Sequence, residues 1–264
     1  MQNSDVLAGY KPDISHIITE SDEIDNDALD GYEPDISHII TEDDEPVDNL
    51  FSEHQQRLLG DGLYKNWSPP DGQPFIAVSN VGLYYALQQP PIVPDFMLSL
   101  GVNYPENHWE KRHRTYFVWE MGKSPELVVE IVSNLVGNEL DKKFEIYARA
   151  GVSYYIVFDP AEYYGKDNLR AYIRAGDEFV RLSESYFARL HIGYTLWEGE
   201  YAGMHETWLR WTNPDGTIIP TGDEAATEAR NEAVEARNEL DVANLRAEKL
   251  AAALRQMGIN PDEV

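Results

Sequence analysis

Two carboxylates in this sequence stand where apolar residues are expected. Glu130 interrupts the largely β-branched run of residues 127–132, and Asp95 follows Pro94 near the start of the apolar run of residues 93–100. Apolar runs of this length are typical of buried strands. Burying an unpaired carboxylate costs roughly several kcal/mol, so we expect a metal ion or a cationic side chain beside Glu130.

A lysine thirteen residues after Glu130, Lys143, completes a set that could hydrolyse a phosphodiester. Carboxylates on adjacent strands can share one Mg²⁺, which prefers oxygen ligands, and the main-chain carbonyl of Ile131 could be a further ligand. The metal would polarise a phosphoryl oxygen and acidify a bound water. Lys143 could orient that water or stabilise the charge on phosphorus. The alternative interpretation is structural, with Asp95 capping a strand end and Glu130 paired with Lys143.

A strand–helix–strand unit is expected to position Glu130 and Lys143. Residues 139–150 show helical spacing of apolar side chains, and Gly151 is typical of the position just after a helix. Residues 154–158 form a second apolar run and predict a second strand. The unit implies a parallel or mixed β-sheet flanked by helices, an α/β or α+β fold, with Glu130 near the middle of the sheet.

The rest of the globular part is expected to begin near Phe51, with a helix capped by Ser52. A polar loop at residues 101–114 carries the one basic cluster, Lys111 to Arg114. Apolar runs and turn residues predict further strands, with a hairpin formed by the last two: residues 75–78, 81–87, 93–100, 115–119, 169–173 and 178–182.

Composition limits the class of protein. The chain of 264 residues is 42% hydrophobic, which supports one sizeable domain with appendages. It has no cysteine, so disulfides and thiolate metal sites are excluded. We expect a soluble cytoplasmic protein, because neither a signal peptide nor an apolar run of membrane-spanning length is evident. The net charge of −26 repels nucleic acid at long range, so nuclease activity would depend on local chemistry and bound cations.

Residues 1–50 are an acidic arm that holds 15 acidic residues and one lysine. The arm contains a tandem repeat, GYKPDISHIITESDE at residues 9–23 and GYEPDISHIITEDDE at residues 31–45. Two copies are too few to bury a core. One interpretation is a disordered extension, and the other is a doubled short motif that docks on a partner.

Residues 221–264 predict a long helix rich in alanine and glutamate. Apolar residues recur alternately after four and three positions, from Ala229 to Met257, as in a coiled-coil seam. Alanine at most of these positions buries little area, so pairing would be weak. A self-associating coiled coil and a single solvated helix are both compatible with this pattern.

Three features of the chain resemble the Uma-two family, a branch of the PD-(D/E)XK nuclease superfamily. They are Pro94-Asp95 before an apolar strand, the segment VVEIVS around Glu130, and the segment KFEIYARAGV followed by YYIVFDP. The resemblance covers about residues 51–212, so we expect a nuclease-like domain at residues 51–220. It implies a restriction-endonuclease-like mixed sheet, a divalent cation (Mg²⁺ or Mn²⁺), and hydrolysis of DNA phosphodiesters, with Asp95 and Glu130 as the motif acids.

The sequence departs from the superfamily pattern at Val132, where a lysine usually stands two residues after the acid. Lys143 resembles the family's migrated lysine, which approaches the same site from the helix. Glu53 and His54 match the family's N-terminal helix, whose polar residue approaches the metal; the alternative is a capped surface helix.

Two functions are therefore compatible with the sequence. The first is a metal-dependent DNA endonuclease that uses Asp95, Glu130 and Lys143. The second is a catalytically silent relative that acts as an interaction module through its acidic repeats and its C-terminal helix. A homodimer could form through the core or through that helix.

Overall fold

The structure, a computed structural model, describes residues 49–133, 140, 142–258 and 260. This part of the chain forms four α-helices and eleven strands. The helices are α1 (Leu50–Asn66), α2 (Val118–Met121), α3 (Lys142–Arg149) and α4 (Gly222–Gln256). The strands are β1 (Phe75–Val78), β2 (Leu83–Tyr84), β3 (Phe96–Leu100), β4 (Tyr116–Phe117), β5 (Leu127–Ile131), β6 (Tyr154–Phe158), β7 (Leu169–Ala175), β8 (Glu178–Arg181), β9 (Tyr186–Phe187), β10 (Ile192–Tyr201) and β11 (Met204–Thr212).

A six-stranded mixed sheet lies at the centre, in the order β1-β3-β5-β6-β7-β8. Strands β5 and β6 are parallel and are joined through α3, whereas the other neighbouring pairs are antiparallel. Strands β9 to β11 form a separate three-stranded sheet, and β2 pairs with β4. The predicted mixed sheet flanked by helices, with a long C-terminal helix, is confirmed.

Side chains of the central sheet alternate between two apolar cores. On β5, Leu127, Val129 and Ile131 join the core that contains Leu59 and Leu63 of α1. Residues Val128 and Val132 join the core that contains Tyr147 of α3. Every residue of β5 and β6 is buried, as expected for strands covered on both faces. The period of two places Glu130 on the α3 side of the sheet.

Helix α1 begins earlier than the sequence suggested. Its N-cap is Asn49, whose side-chain oxygen accepts a hydrogen bond from the Ser52 amide at 3.0 Å. The prediction that Ser52 caps the helix is therefore wrong, because asparagine caps at least as well and stands three residues upstream. Ser52 is instead 1% exposed within the first turn.

Several predicted strands are shorter in the structure. The strand expected at residues 93–100 begins at Phe96, since Pro94 cannot donate to a ladder. The strand expected at residues 81–87 is reduced to β2, and the one expected at residues 115–119 is reduced to β4. Trp119 belongs to the short helix α2. These two short strands pair with each other outside the central sheet. The pairing covers two residues of each strand, so the predicted strands are not extended beyond them.

Helix α4 is joined to the domain through its first turn. Thr221 and Glu224 form a capping box, and the buried guanidinium of Arg210 donates to both oxygens of the Glu224 carboxylate at 3.0 and 2.6 Å. None of the residues of α4 is buried. No helix among the described residues is long and apolar enough to cross a bilayer. The acidic repeats of residues 1–48 lie outside the described part of the chain.

Candidate active site

Asp95, the residue directly before β3, lies opposite Glu130 of the neighbouring strand β5. The antiparallel register pairs Phe96 with Val129, so the residue before Phe96 faces the residue after Val129. Side chains that are directly opposed in a ladder point to the same face and lie about 5 Å apart at Cβ. The Asp95 carboxylate also accepts a hydrogen bond from the Ile131 amide at 2.5 Å. The strand register therefore brings together two carboxylates that are 35 positions apart in sequence.

Helix α3 supplies two side-chain donors to the Glu130 carboxylate. Glu130 is 1% exposed, and Lys143 Nζ donates to its Oε2 at 2.8 Å. The Tyr147 hydroxyl donates to Oε1 of the same carboxylate. Lys143 and Tyr147 are four residues apart on one face of the helix, whereas Lys142 is exposed. The helix thus stabilises the buried charge that the sequence places on β5.

The electrostatics of the site keep Tyr147 protonated. Burial raises the pKa of Tyr147 well above its ordinary value, and the negative charges of Glu130 and Asp95 and the neighbouring Tyr155 raise it further. A phenol that does not ionise remains a hydrogen-bond donor. Tyr147 is therefore suited to hold one oxygen of Glu130 in place, while Lys143 provides the positive charge.

The donor set suits a hard divalent cation. Asp95 and Glu130 offer oxygen atoms only, and these are the ligand atoms that a hard divalent cation such as Mg²⁺ prefers. Among the residues that the structure describes, no group of three or more histidine, aspartate or glutamate side chains could hold a metal. A cation held by two carboxylates would need a main-chain oxygen and waters to complete its shell, and Mg²⁺ typically keeps several waters.

The segment that carries this site is similar to a known protein family. Residues 44–164 match the family model described as Uma2, putative restriction endonuclease. Over this segment the chain is similar to the Uma2 family. The matched segment contains Asp95, Glu130 and Lys143, and the resemblance to restriction-endonuclease-like nucleases drawn from the motifs is confirmed. No curated protein matches the chain.

The matched segment also contains polar residues near Asp95 that the sequence analysis did not identify. The amide of Asn80 donates to the Pro94 carbonyl at 3.2 Å, directly before Asp95. The Asn80 side chain donates to Gln56 Oε1 at 2.8 Å, which ties the segment to α1. Asn80 has φ of +53°, a conformation that asparagine adopts more readily than most residues. The only indication of this role in the sequence was that Ser79 and Asn80 interrupt two apolar runs.

A second cationic side chain, Arg170, lies in the same row of the sheet as Glu130, six residues beyond the segment that matches the family model. Val157 pairs with Glu130 on one side and with Arg170 on the other, so Arg170 faces the α3 side from β7. Its guanidinium donates to the Tyr164 carbonyl at 3.0 Å, and Arg170 is 7% exposed. Its Nη1 atom has no hydrogen-bond partner within the described part of the chain. The sequence shows Arg170 as a single arginine in a predicted hairpin, so its position in the row of Glu130 could not be predicted.

The two other candidates, Glu53 and His54, lie in the first turn of α1. Glu53 forms an ion pair with Arg57, and His54 Nδ1 lies 2.8 Å from the Glu53 carboxylate. Their recorded contacts are with each other and with Arg57, so the structure does not bring them into contact with Asp95 or Glu130. A role for Glu53 or His54 at a metal stays a prediction.

Proposed function

We propose that the domain containing Asp95 and Glu130 is a metal-dependent endonuclease that hydrolyses phosphodiester bonds in DNA. The observation that carries the proposal is the convergence of Asp95, Glu130 and Lys143 on one face of the sheet. Two opposed carboxylates can hold a metal ion, and an ammonium group beside them can stabilise the charge that develops in phosphodiester hydrolysis.

In this proposal, Asp95, Glu130 and the main-chain carbonyl of Ile131 would hold Mg²⁺, and Mn²⁺ would suit the same oxygen donors. The bound cation supplies a Lewis acid for a phosphoryl oxygen and lowers the pKa of a coordinated water. Asp95 is itself oriented by the Ile131 amide at 2.5 Å. That hydrogen bond fixes one carboxylate relative to the strand that carries the other.

The role of Lys143 follows from its position. Its ammonium lies 2.8 Å from Glu130, and its side chain is 27% exposed, so it reaches the buried carboxylate from a partly open position. An ammonium beside the carboxylates stabilises negative charge that develops on a phosphoryl group. Tyr147 acts as a positioning residue, because its hydroxyl contacts Glu130 and its side chain is fully buried.

The proposed DNA substrate must be held by local charge. Residues 51–221 contain 22 acidic and 15 basic residues, so this part of the chain is net negative even without the acidic arm. Long-range attraction of DNA is therefore weak, and phosphate contacts depend on clustered cations. The loop that carries Lys111, Arg112 and Arg114 is the densest such cluster in the sequence.

A cleavage assay on supercoiled plasmid tests the proposal. Wild-type protein is expected to convert supercoiled plasmid to open-circular or linear DNA with Mg²⁺ or Mn²⁺, and EDTA is expected to stop the reaction. The isosteric Glu130→Gln variant should lose cleavage while its circular dichroism spectrum stays that of the wild type. Cleavage that persists in EDTA, or in Glu130→Gln, would overturn the proposal.

A second candidate function, a catalytically silent interaction module, is favoured by the charge distribution. Of the 47 acidic residues in the chain, 15 lie in the first 50 positions, where they are accompanied by one lysine. In this alternative, Lys143 and Glu130 are a structural ion pair. A folded wild-type protein that leaves plasmid intact with either metal ion would favour the silent module.

A further inference from the structure

Helix α4 presents an apolar seam that nothing in the described part of the chain covers. It runs for 35 residues, and none of them is buried. On the seam, Leu240, Leu250 and Met257 are 59%, 64% and 72% exposed. Leaving large apolar side chains in water is unfavourable by roughly 25 cal/mol for each Å² of surface. The helix therefore has a face that would gain from a partner.

The order of large and small residues along this seam is informative. Its first four positions are alanines, and its last three positions are large apolar residues, with a leucine and two alanines between them. The seam consists of Ala226, Ala229, Ala233, Ala236, Leu240, Ala243, Ala247, Leu250, Leu254 and Met257. In a parallel pair, each seam residue would face the same residue of the other helix. The two helices would then have to be close at the alanine end and far apart at the end with large residues.

We propose that α4 pairs with α4 of a second copy of this chain, in antiparallel orientation. When one helix is reversed, the seam positions form five different facing pairs. Four of these pairs set a large residue against an alanine, and the fifth sets an alanine against an alanine. Alternation of large and small side chains across an interface gives even, close packing. The layers pair Ala226 with the partner's Met257, Ala229 with the partner's Leu254, Ala233 with the partner's Leu250, Ala236 with the partner's Ala247, and Leu240 with the partner's Ala243.

The charges of α4 favour the same orientation. Residues 222–241 contain seven acidic and two basic side chains, whereas residues 242–256 contain one acidic and three basic side chains. An antiparallel pair places the acidic half of each helix beside the basic half of the other. Beside the central layers, Glu239 lies next to the partner's Arg246, and the twofold symmetry repeats this pair. Charges that flank the seam set the orientation of paired helices.

The attachment of α4 to the domain leaves the seam accessible. The Glu224 carboxylate is held by Arg210, and the Gly222 amide donates to Asp61 of α1 at 2.8 Å, so the recorded side-chain anchors precede Ala226. At 1.5 Å per residue, the seam from Ala226 to Met257 is about 47 Å long. The two domains of the dimer would therefore lie at opposite ends of the helix pair. This inference is independent of whether the domain containing Asp95 and Glu130 cleaves DNA.

The mass of the full-length chain tests the pairing, with two leucines as matched variants. Light scattering after size-exclusion chromatography, over a concentration series, is expected to give up to twice the chain mass of 30.1 kDa. Leu250→Glu, on the seam, should give the monomer mass. Leu245→Glu should not, because Leu245 is similarly exposed, at 52%, but lies off the seam. A wild type that is monomeric throughout, or equal effects of the two substitutions, would overturn the proposal.

Cysteine crosslinking tests the orientation, since the chain has no cysteine of its own. Oxidising a mixture of full-length Ala233→Cys and Leu250→Cys chains should give a disulfide-linked dimer. Each variant oxidised alone should remain uncrosslinked, because the antiparallel pair separates identical positions along the helix. Crosslinking of either variant by itself, without crosslinking specific to the mixture, would show a parallel pair and contradict the proposal.

Discussion

Lys143 Nζ lies 2.8 Å from Glu130 Oε2, although one residue belongs to helix α3 and the other to strand β5. The superfamily that the motifs resemble usually has its lysine on the strand, where this chain has Val132. Val132 is 2% exposed and joins the apolar core on the α3 side. The ammonium that the strand lacks is thus present beside the same carboxylate, supplied from the helix that packs over it.

Metal binding should depend on Asp95. Asp95→Asn should weaken Mn²⁺ binding by roughly tenfold or more, since loss even of outer-shell partners costs 10–100-fold in metal affinity. Electron paramagnetic resonance of free Mn²⁺ measures the affinity directly. The control is Glu145→Gln, because Glu145 is an exposed acid on α3 that pairs with Arg149 at 3.2 Å. Unchanged affinity in Asp95→Asn would remove Asp95 from the proposed ligand set.

Removing the Tyr147 hydroxyl should destabilise the fold. Tyr147→Phe leaves the buried Glu130 carboxylate with one donor fewer, and such a loss typically costs about 1–3 kcal/mol in the free energy of unfolding. Urea unfolding measures this difference. Tyr85→Phe is the control, because Tyr85 packs against the same core and its hydroxyl has no hydrogen bond recorded among the described residues. Equal stabilities of the two variants would argue against a positioning role for Tyr147.

Acidification should loosen the attachment of α4. Although burial opposes ionisation of Glu224, its hydrogen bonds with Arg210 and with the Thr221 backbone hold the pKa of this carboxyl below its ordinary value of 4.5. A carboxyl whose pKa is lower in the folded state stabilises the fold above its ordinary pKa. That stabilisation is lost as the pH falls through the folded-state pKa.

Thermal unfolding at a series of pH values checks this expectation for Glu224. Part of the acid-induced loss of stability should be missing in Glu224→Gln, which cannot ionise. Glu228→Gln, an exposed position one helical turn further along α4, should keep the wild-type pH dependence. The same pH dependence in all three proteins would show that the Glu224–Arg210 pair contributes no measurable stability.

The strand–helix–strand unit could be predicted from the sequence, because each of its features depends on residues that are close together in the chain. The apolar run around Glu130, the helical spacing of Phe144 and Tyr147, and the stop at Gly151 each depend on a few neighbouring residues. Gly151 has φ of +86°, which explains why glycine ends α3. The hairpin of β7 and β8 was likewise predicted from its Gly176-Asp177 turn.

The relative placement of site residues depends on contacts that are distant in sequence. That Asp95 faces Glu130 depends on the pairing of β3 with β5, and a shift of one residue would turn Asp95 to the other face. The hydrogen bonds of Asn80 also connect separate elements. Local propensity was also ambiguous at Ser52 and Asn49, since both residue types cap helices well.

A comparison of two adjacent lysines shows whether a lysine from helix α3 serves the site formed by Asp95 and Glu130. Initial rates of plasmid nicking at saturating Mg²⁺ should fall by about a hundredfold or more in Lys143→Met, because loss of a charge stabiliser at a reacting phosphoryl group has an effect of that size. Lys142→Met should keep a rate close to that of the wild type, since Lys142 is exposed and rotated by about 100° around α3. Equal rates in the two variants would contradict a site that combines Asp95 and Glu130 with a lysine from the helix.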